Sequence, residues 1–377
     1  MKIGGTHLSE NTYQCIGCGA MIQTTDVNAM GYLPNSALQK GIEKGEFYCQ
    51  RCFRLRNYNE LQDIHVSDDV FLEKLSQIAE DDALVVKVID IFDVEGSMIH
   101  GLSRFIGNQP FVVLANKVDL LPKVTNQRRL KHWIKVLLNK NGLYPEDVLL
   151  ASANKKQTLE PFIALIERVI AKKNVYIVGV TNVGKSTLIN QLISYYGGEK
   201  SIITTSNHPG TTLDLIEIPM NEDHAIIDTP GIIRRSQLAH YLTRDEIRKV
   251  LPTKPLKPKT YQLNPEQTIF LGGLARVDFV KGQRAAMTFY VSNDLYIHRT
   301  KLAEANALYE RHRGELLSPP SIERLDAFPP LVKKSLKLQA NQDVAISGLG
   351  WLTTNVPVEL DVWVPKGVTL LIREAII

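Results

Sequence analysis

Eight consecutive residues, Gly179-Val180-Thr181-Asn182-Val183-Gly184-Lys185-Ser186, have the form G-x-x-x-x-G-K-[ST]. An apolar run ending at Gly179 precedes them and a helical stretch, Thr187 to Ile193, follows. In that context the pattern cradles phosphates. Glycines let successive backbone N–H groups turn toward an anion at a helix N-terminus, a lysine neutralises β/γ-phosphate charge, and a hydroxyl ligates Mg2+. Gly179, Thr181, Asn182, Val183, Gly184, Lys185, Ser186 and Thr187 are therefore candidate nucleotide contacts, with Lys185 catalytic and Ser186 a ligand of Mg2+.

Other segments point to the base and to the metal. Asn116-Lys117-Val118-Asp119 closes the run Phe111 to Ala115 in the form N-K-x-D. A carboxylate at Asp119 accepts from both N1–H and the exocyclic amine of guanine, a donor pair that adenine lacks. Ser152-Ala153 follows the run Val148 to Ala151 and is expected to place a backbone N–H near guanine O6. Asp228-Thr229-Pro230-Gly231 has the D-x-x-G form, in which Asp228 holds Mg2+ through water and the Gly231 N–H senses a γ-phosphate. Upstream, Pro209-Gly210-Thr211-Thr212 stands where a switch threonine ligates Mg2+, and Thr212 is the expected ligand because it lies nearer the following strand. Together these residues predict a GTP/GDP site, although each short segment alone also fits an ordinary strand-end turn.

Such segments need a scaffold that presents them at strand ends. From about Ala83 to Thr229, short β-branched runs alternate with amphipathic helical stretches, the pattern of an α/β protein with a parallel sheet. Six strands are expected: Ala83 to Asp90, Phe111 to Ala115, Val148 to Ala151, Val175 to Gly179, Leu213 to Ile218 and Ala225 to Asp228. Helices are expected over Gln127 to Leu138, Leu159 to Ala171 and Lys185 to Ser194, where apolar residues recur at three- and four-residue spacing. The guanine segment precedes the phosphate loop, which predicts a Ras-like P-loop GTPase sheet, circularly permuted. Joining the usual last helix to the usual first strand, here Leu159 to Lys173 into Val175 to Gly179, moves the chain ends and leaves the sheet unchanged.

Prolines 252, 255, 258 and 265 alternate with Lys254, Lys257 and Lys259 over Leu251 to Pro265, which predicts an irregular linker. Beyond it, strands are expected over Thr268 to Val280, Ala286 to Ser292, Asp343 to Ser347, Val358 to Val364 and Val368 to Ile372, with a helix near Lys301 to Arg311. The expected organisation is a zinc-binding module over 1–60, a circularly permuted GTPase domain over 61–250 and a C-terminal α+β domain over 251–377. In that last domain, Lys281 and Arg284 around Gly282, and Ser347-Gly348-Leu349-Gly350, fit hairpin turns as well as an RNA contact.

All four cysteines fall in two C-x-x-C pairs, Cys15 with Cys18 and Cys49 with Cys52, within a segment poor in apolar periodicity. Four thiolates at this spacing suit a tetrahedral Zn2+ site, and the metal would supply the staple that the segment lacks. A dithiol redox site is the alternative, but one pair would serve for it and no thioredoxin-like βαβ context surrounds either pair. Arg51, Arg54 and Arg56, interleaved with Phe53 and Tyr58, fit either a contact to phosphates and bases or a solvated basic face.

The 377 residues leave room for two or three domains of about 100 to 200 residues each. With 44% hydrophobic and 22% charged residues the composition is that of a globular protein, and the net charge of +4 permits a polyanionic partner without requiring one. Met1 to Glu10 carries neither the apolar run of a signal peptide nor the Arg-rich pattern of a transit peptide, and no apolar stretch is long enough to span a bilayer. A cytoplasmic chain without membrane contact is expected. Haem, flavin and nicotinamide motifs are missing, which argues against an oxidoreductase.

With these marks in place, the whole chain resembles the YqeH-type circularly permuted GTPases, a family related to plant and mitochondrial proteins once proposed to make nitric oxide. The resemblance is carried by Cys15-Ile16-Gly17-Cys18 and Cys49-Gln50-Arg51-Cys52, by Asp90-Ile91-Phe92-Asp93 at a strand end, by the permuted motifs and by a distinct C-terminal domain. It implies a role in assembling the small ribosomal subunit, with rRNA or a ribosomal protein as partner. Ile232 stands where Ras-like proteins place a water-orienting Gln, so unassisted hydrolysis is expected to be slow. Asn182 resembles the Asn that helps hold K+ in potassium-activated GTPases, which implies K+ stimulation, beside its plainer reading as a turn residue that tolerates left-handed geometry. A competing functional class is a zinc-containing RNA-binding scaffold in which GTP is a structural ligand.

Overall fold

The computed structural model describes residues 13–16, 20–26, 31–44, 47–50, 65–66, 76, 78–99, 101–196, 216–229, 231–232 and 236–377. Two compact units divide the chain. Met1–Lys87, Ser103–Val112 and Leu159–Ile232 form the first, and Val88–Leu102, Val113–Thr158 and Ile233–Ile377 form the second.

The first unit holds helix α1 (Asn35–Lys44) and the two-residue strand β1 (His65–Val66). Strand β2 (Ala83–Asp90) starts there and is buried at every position, as a β-branched run covered on both faces must be. It pairs in parallel with β5 (Asn174–Val178), Ala83 opposite Asn174 through Lys87 opposite Val178. Next to β5 runs β7 (Ala225–Asp228), also parallel, and β6 (Ile216–Pro219) lies antiparallel beyond it. Strand β8 (Gly231–Ile232) pairs with β1.

Between β2 and β5 in the chain lie the short helix α2 (Leu102–Phe105), strand β3 (Phe111–Asn116), helix α3 (Gln127–Lys140), strand β4 (Val148–Leu150) and helix α4 (Glu160–Ile170). The strand order of the six-stranded sheet is β4-β3-β2-β5-β7-β6. Helix α4 buries Phe162, Ile163, Ile166 and Ile170 and passes into β5 across residues 171–173. Helix α5 (Lys185–Tyr196) buries Leu188, Ile189, Leu192 and Ile193, the three- and four-residue spacing of an amphipathic face.

In the second unit, α3 starts at Asn126, whose side chain accepts from the amides of Arg128 and Arg129, and it buries Leu130, Ile134 and Leu138. Past helix α6 (Arg244–Val250), which carries a capping box from Thr243 to Glu246, the chain is almost all β. Strands β9 (Lys259–Leu263), β10 (Gln267–Leu271), β11 (Ala275–Gly282), β12 (Ala285–Val291) and β13 (Ile297–Lys301) precede helix α7 (Leu302–His312). Strands β14 (Leu331–Leu338), β15 (Gln342–Ile346), β16 (Gly350–Thr354), β17 (Val358–Pro365) and β18 (Leu370–Glu374) follow it. They form two five-stranded antiparallel sheets, β13-β10-β11-β17-β14 and β18-β15-β16-β12-β9. One apolar cluster draws on both, including Ile269, Phe279, Phe289, Val344, Leu352 and Val362, and Leu238, Leu242 and Val250 belong to it as well.

Several expectations change here. The C-terminal part, expected to be α+β, is β-rich, and its one α-helix beyond residue 300 is the expected one, Leu302–His312. The expected strand Thr268 to Val280 is a hairpin, because Gly272 adopts φ +56° and reverses the chain between β10 and β11. The proline-rich stretch expected to be irregular contains β9, with Pro258 and Pro265 just outside it, so neither proline removes a ladder donor. Strands β13, β14 and β16 are additional, and β18 begins two residues later than expected. Of the expected strand Leu213 to Ile218, residues 213–215 lie outside the described residues. No helix among the described residues is long and apolar enough to cross a membrane.

One buried charge fastens the β-rich sheets to the rest of the second unit. Arg373 of β18 donates to Glu95 Oε2 at 2.5 Å and to Asp343 Oδ2 at 3.4 Å, and its guanidinium lies 5.4 Å from the ring of Trp351 and 5.1 Å from that of Trp133. Burial opposes the charge, but the carboxylates of Glu95 and Asp343 outweigh it and hold the proton more firmly than usual. Arg373→Ala would leave two buried carboxylates without their counter-ion. It is expected to cost about 3–5 kcal/mol in urea unfolding, and a loss below about 1 kcal/mol, the worth of an exposed pair, would contradict this account.

Candidate functional site

The phosphate-side residues lie in the first unit. After β5 the chain turns through Gly179 to Gly184, where Asn182 at φ 65° and Gly184 at φ 87° take left-handed geometry that Asn tolerates and Gly adopts freely. This reversal starts α5 at Lys185 and places Ser186 and Thr187 in its first turn, where the helix dipole favours an anion. Lys185 is only 4% exposed. Its Nζ lies 2.5 Å from Asp228 Oδ1 at the end of β7 and also donates to the Thr229 carbonyl. Thr229 in turn donates to the Ile177 carbonyl of β5 through its amide at 3.1 Å and its hydroxyl at 3.0 Å, which pins the D-x-x-G segment to the strand that carries the phosphate loop. Gly231 packs on that loop, since a Cβ there would stand 3.4 Å from Thr181 Cγ2.

This arrangement can exchange one anion for another. A phosphate would compete with Asp228 for the Lys185 ammonium, and the freed carboxylate, with the Ser186 hydroxyl, would offer the hard oxygen donors that Mg2+ prefers. Thr212, Thr211 and Pro230 lie outside the described residues.

The base-side residues lie in the second unit. Asn116, 1% exposed at the end of β3, accepts the Ala153 amide on Oδ1 at 2.8 Å. The Ser152 amide donates to Thr158 Oγ1 at 2.8 Å, so the Ser152-Ala153 turn is tied at both N–H groups. Lys117 adopts φ 67°, and its Nζ lies 2.7 Å from Asp90 Oδ2. Asp119 sits in the short 3-10 turn Val118–Leu120, partly exposed, and the Val118 amide donates to the Ala151 carbonyl at 3.1 Å. Sequence reasoning gave no role to Thr158 or to Asp90, although Asp90 ends a strand just as Asn116 does.

Cys15 and Cys49 are each 2% exposed, and the Cys49 amide donates to Cys15 Sγ at 3.1 Å. Cys18 and Cys52 lie outside the described residues, as do Arg51, Arg54 and Arg56. Among the described residues, no group of three or more His, Cys, Asp or Glu side chains is placed to hold a metal ion.

A turn next to the base-side residues holds an unusual carboxyl. Asp93 is buried, and burial pushes its pKa up to about 6, against the lowering effect of a Ser347 hydrogen bond and helped by the nearby Asp90 and Glu95 carboxylates. An acid whose pKa is higher in the folded than in the unfolded state stabilises the fold as the protonated form. That contribution is full below the unfolded value near 3.8 and is lost as pH rises through about 6. Asp93→Asn is neutral throughout. The stability of the parent relative to this variant is therefore expected to fall by on the order of 3 kcal/mol between about pH 4 and pH 6.5, then to level off. Urea unfolding across that range tests it, and a difference independent of pH would contradict the assignment.

Two family models match the chain. One described as YqeH-like, C-terminal, covers residues 284–376, and one described as 50S ribosome-binding GTPase covers residues 174–260. The chain is 48% identical over 365 residues to Uncharacterized protein YqeH of Bacillus subtilis (strain 168), across 96% of this chain and 99% of that protein. It is 29% identical over 386 residues to NO-associated protein 1, chloroplastic/mitochondrial, of Arabidopsis thaliana, across 90% and 69% of the two chains. Against Ribosome biogenesis GTPase A of Priestia megaterium it is 31% identical over 163 residues, across 40% and 53%. Identity of this level along nearly the whole length, with a phosphate loop and a D-x-x-G segment in place, means that the chain belongs to the YqeH family of GTPases.

Proposed function

We propose that this GTPase is a nucleotide-dependent switch in assembly of the small ribosomal subunit. The observation that carries the switch reading is the buried Lys185–Asp228 pair, in which the phosphate-binding lysine is held by the D-x-x-G carboxylate. An incoming triphosphate takes over the lysine, and the D-x-x-G segment is freed to report on it. Backbone amides from Gly179 to Thr187 and the Lys185 ammonium take the phosphates, and Ser186, Thr212 and Asp228 ligate Mg2+, which when bound neutralises phosphate charge. Asn116, Lys117, Asp119, Ser152 and Ala153 take guanine. Gly231 offers its N–H to the γ-phosphate, while apolar Ile232 leaves the attacking water without a side-chain partner, so turnover is slow without assistance. Asn182, exposed on the loop, is the proposed K+ ligand.

In this reading residues 1–60 form a four-cysteine zinc module, 61–250 a circularly permuted G domain and 251–377 a C-terminal domain that engages rRNA or a ribosomal protein in the cytoplasm. The passage of α4 into β5 across residues 171–173 supports the permutation, because that join is what the motif order requires. The buried Cys15 and Cys49, with an amide donating to sulfur, support the zinc module, since an N–H aimed at sulfur stabilises a metal-bound thiolate. The relative named Ribosome biogenesis GTPase A supports a ribosomal partner. The small subunit is chosen on the family resemblance carried by the cysteine pairs and Asp90 to Asp93.

Co-sedimentation with separated ribosomal subunits tests this reading. The chain is expected to travel with the small subunit when loaded with a non-hydrolysable GTP analogue and to leave it with GDP. Binding that ignores the nucleotide would overturn the switch, and binding to the large subunit alone would overturn the choice of partner. Elemental analysis is expected to find about one zinc per chain, lost in Cys15→Ser, and GTP turnover is expected to be faster in K+ than in Na+ buffer. A folded chain without zinc, or equal rates in the two salts, would remove the corresponding metal.

A further inference from the structure

Within the second unit, a continuous run of hydrogen bonds joins the base-side residues to the β-rich sheets. It begins at Lys117 Nζ, 2.7 Å from Asp90 Oδ2. Ser97 Oγ accepts the Asp90 amide at 3.0 Å and donates to the Asp93 carbonyl at 2.7 Å, while the Asp93 amide donates to the Asp90 carbonyl at 3.1 Å. Asp90 and Asp93 are therefore tied into one turn. At the far end Asp93 Oδ2 accepts from Ser347 Oγ at 2.9 Å and from Gln237 Nε2 at 3.0 Å.

The far end is itself locked. The Leu238 amide donates to the Ser347 carbonyl, the Ser347 amide to the Thr369 carbonyl, and the Thr369 amide to the Ser236 carbonyl, each at 3.0 Å. Space enforces the same contact. A Cβ on Gly96 would stand 2.1 Å from Asp93 Oδ2 and 2.5 Å from Ser347 Oγ, and one on Gly348, at φ +78°, would stand 3.0 Å from the Leu238 nitrogen. Asp90, Asp93, Ser97, Gln237 and Ser347 are all buried, so the bonds act at low dielectric, where a satisfied polar network fixes one geometry. Ordinary apolar packing would join the turn to the sheets without the penalty of burying a carboxyl.

We propose that Ser347 and Gln237 are positioning residues for guanine binding, which act through Asp93, Ser97 and Asp90 to fix Lys117, so that the β-rich sheets set the affinity for guanine nucleotides. This rests on the GTPase reading above. Neither residue contributes to the chemistry of hydrolysis, so the effect falls on binding and not on turnover.

The test uses the full chain with Mg2+. Ser347→Ala and Gln237→Ala are each expected to raise the Kd for GDP and the KM for GTP about tenfold, with turnover at saturating GTP within about twofold of the parent. The double variant is expected to fall short of the product of the two single effects, because both act on the same carboxylate. Folded variants with the parent's Kd and KM, or a fall in turnover at unchanged KM, would overturn the proposal. Should either variant fail to fold, hydrogen exchange on the parent decides. GDP is expected to slow exchange at the Leu238 and Ser347 amides, because coupling between two sites is reciprocal, and protection confined to the phosphate and guanine segments would overturn the proposal. A parent chain that binds no GDP would instead overturn the GTPase reading beneath it.

Discussion

A charge held at the end of a dry strand needs a partner, and in this chain the partner is twice a loop lysine. Asp228 at the end of β7 holds Lys185, and Asp90 at the end of β2 holds Lys117. Leaving either carboxylate alone would cost several kcal/mol, whereas the paired state keeps both charges in place at little net expense. Both lysines come from motifs for which a nucleotide role is proposed, Lys185 at the phosphates and Lys117 at the base. The Asp90 pair also sets Lys117 in position before any ligand arrives, and such preorganisation would lower the ordering cost of binding, whereas the Asp228 pair would have to open for a phosphate to take Lys185.

The two pairs differ in what surrounds them. Asp228 belongs to a segment pinned to β5 by Thr229 and followed by Gly231 against Thr181, so a change at the phosphates is felt along a short stretch of chain. Asp90 belongs to a turn whose other carboxyl, Asp93, is held by residues of the β-rich part. Arg373 adds a second fastening through Glu95 in the same turn region. The β-rich sheets thus reach the guanine side through two buried charges, where an independent module would be joined by a linker and a surface contact.

How much of this was legible in the amino-acid order depended on whether the interaction was local. The phosphate loop is a run of adjacent residues whose backbone does the work, and Asn182 and Gly184 take the left-handed turns that such a loop requires. Helices α3, α4 and α5 follow from apolar spacing. Ser347 and Asp93 stand 254 positions apart, and no spacing rule links them; Ser347 read equally well as a hairpin residue. Strand β14 was missed because Lys333, Lys334 and Lys337 interrupt its alternation, the habit of an edge strand protected by charge. β9 was hidden by prolines that turned out to flank the strand. The hairpin of β10 and β11 has the pattern of a single strand because its turn, Gly272-Gly273, is short and both arms are largely buried.

Calorimetry on the purified chain with Mg2+ tests most directly whether this GTPase selects guanine nucleotides as proposed. GTP and GDP are expected to bind at least about 100-fold more tightly than ATP, because the carboxylate proposed for guanine, Asp119, would be left unpaired by adenine. ATP bound as tightly as GTP, or neither nucleotide bound, would contradict the account.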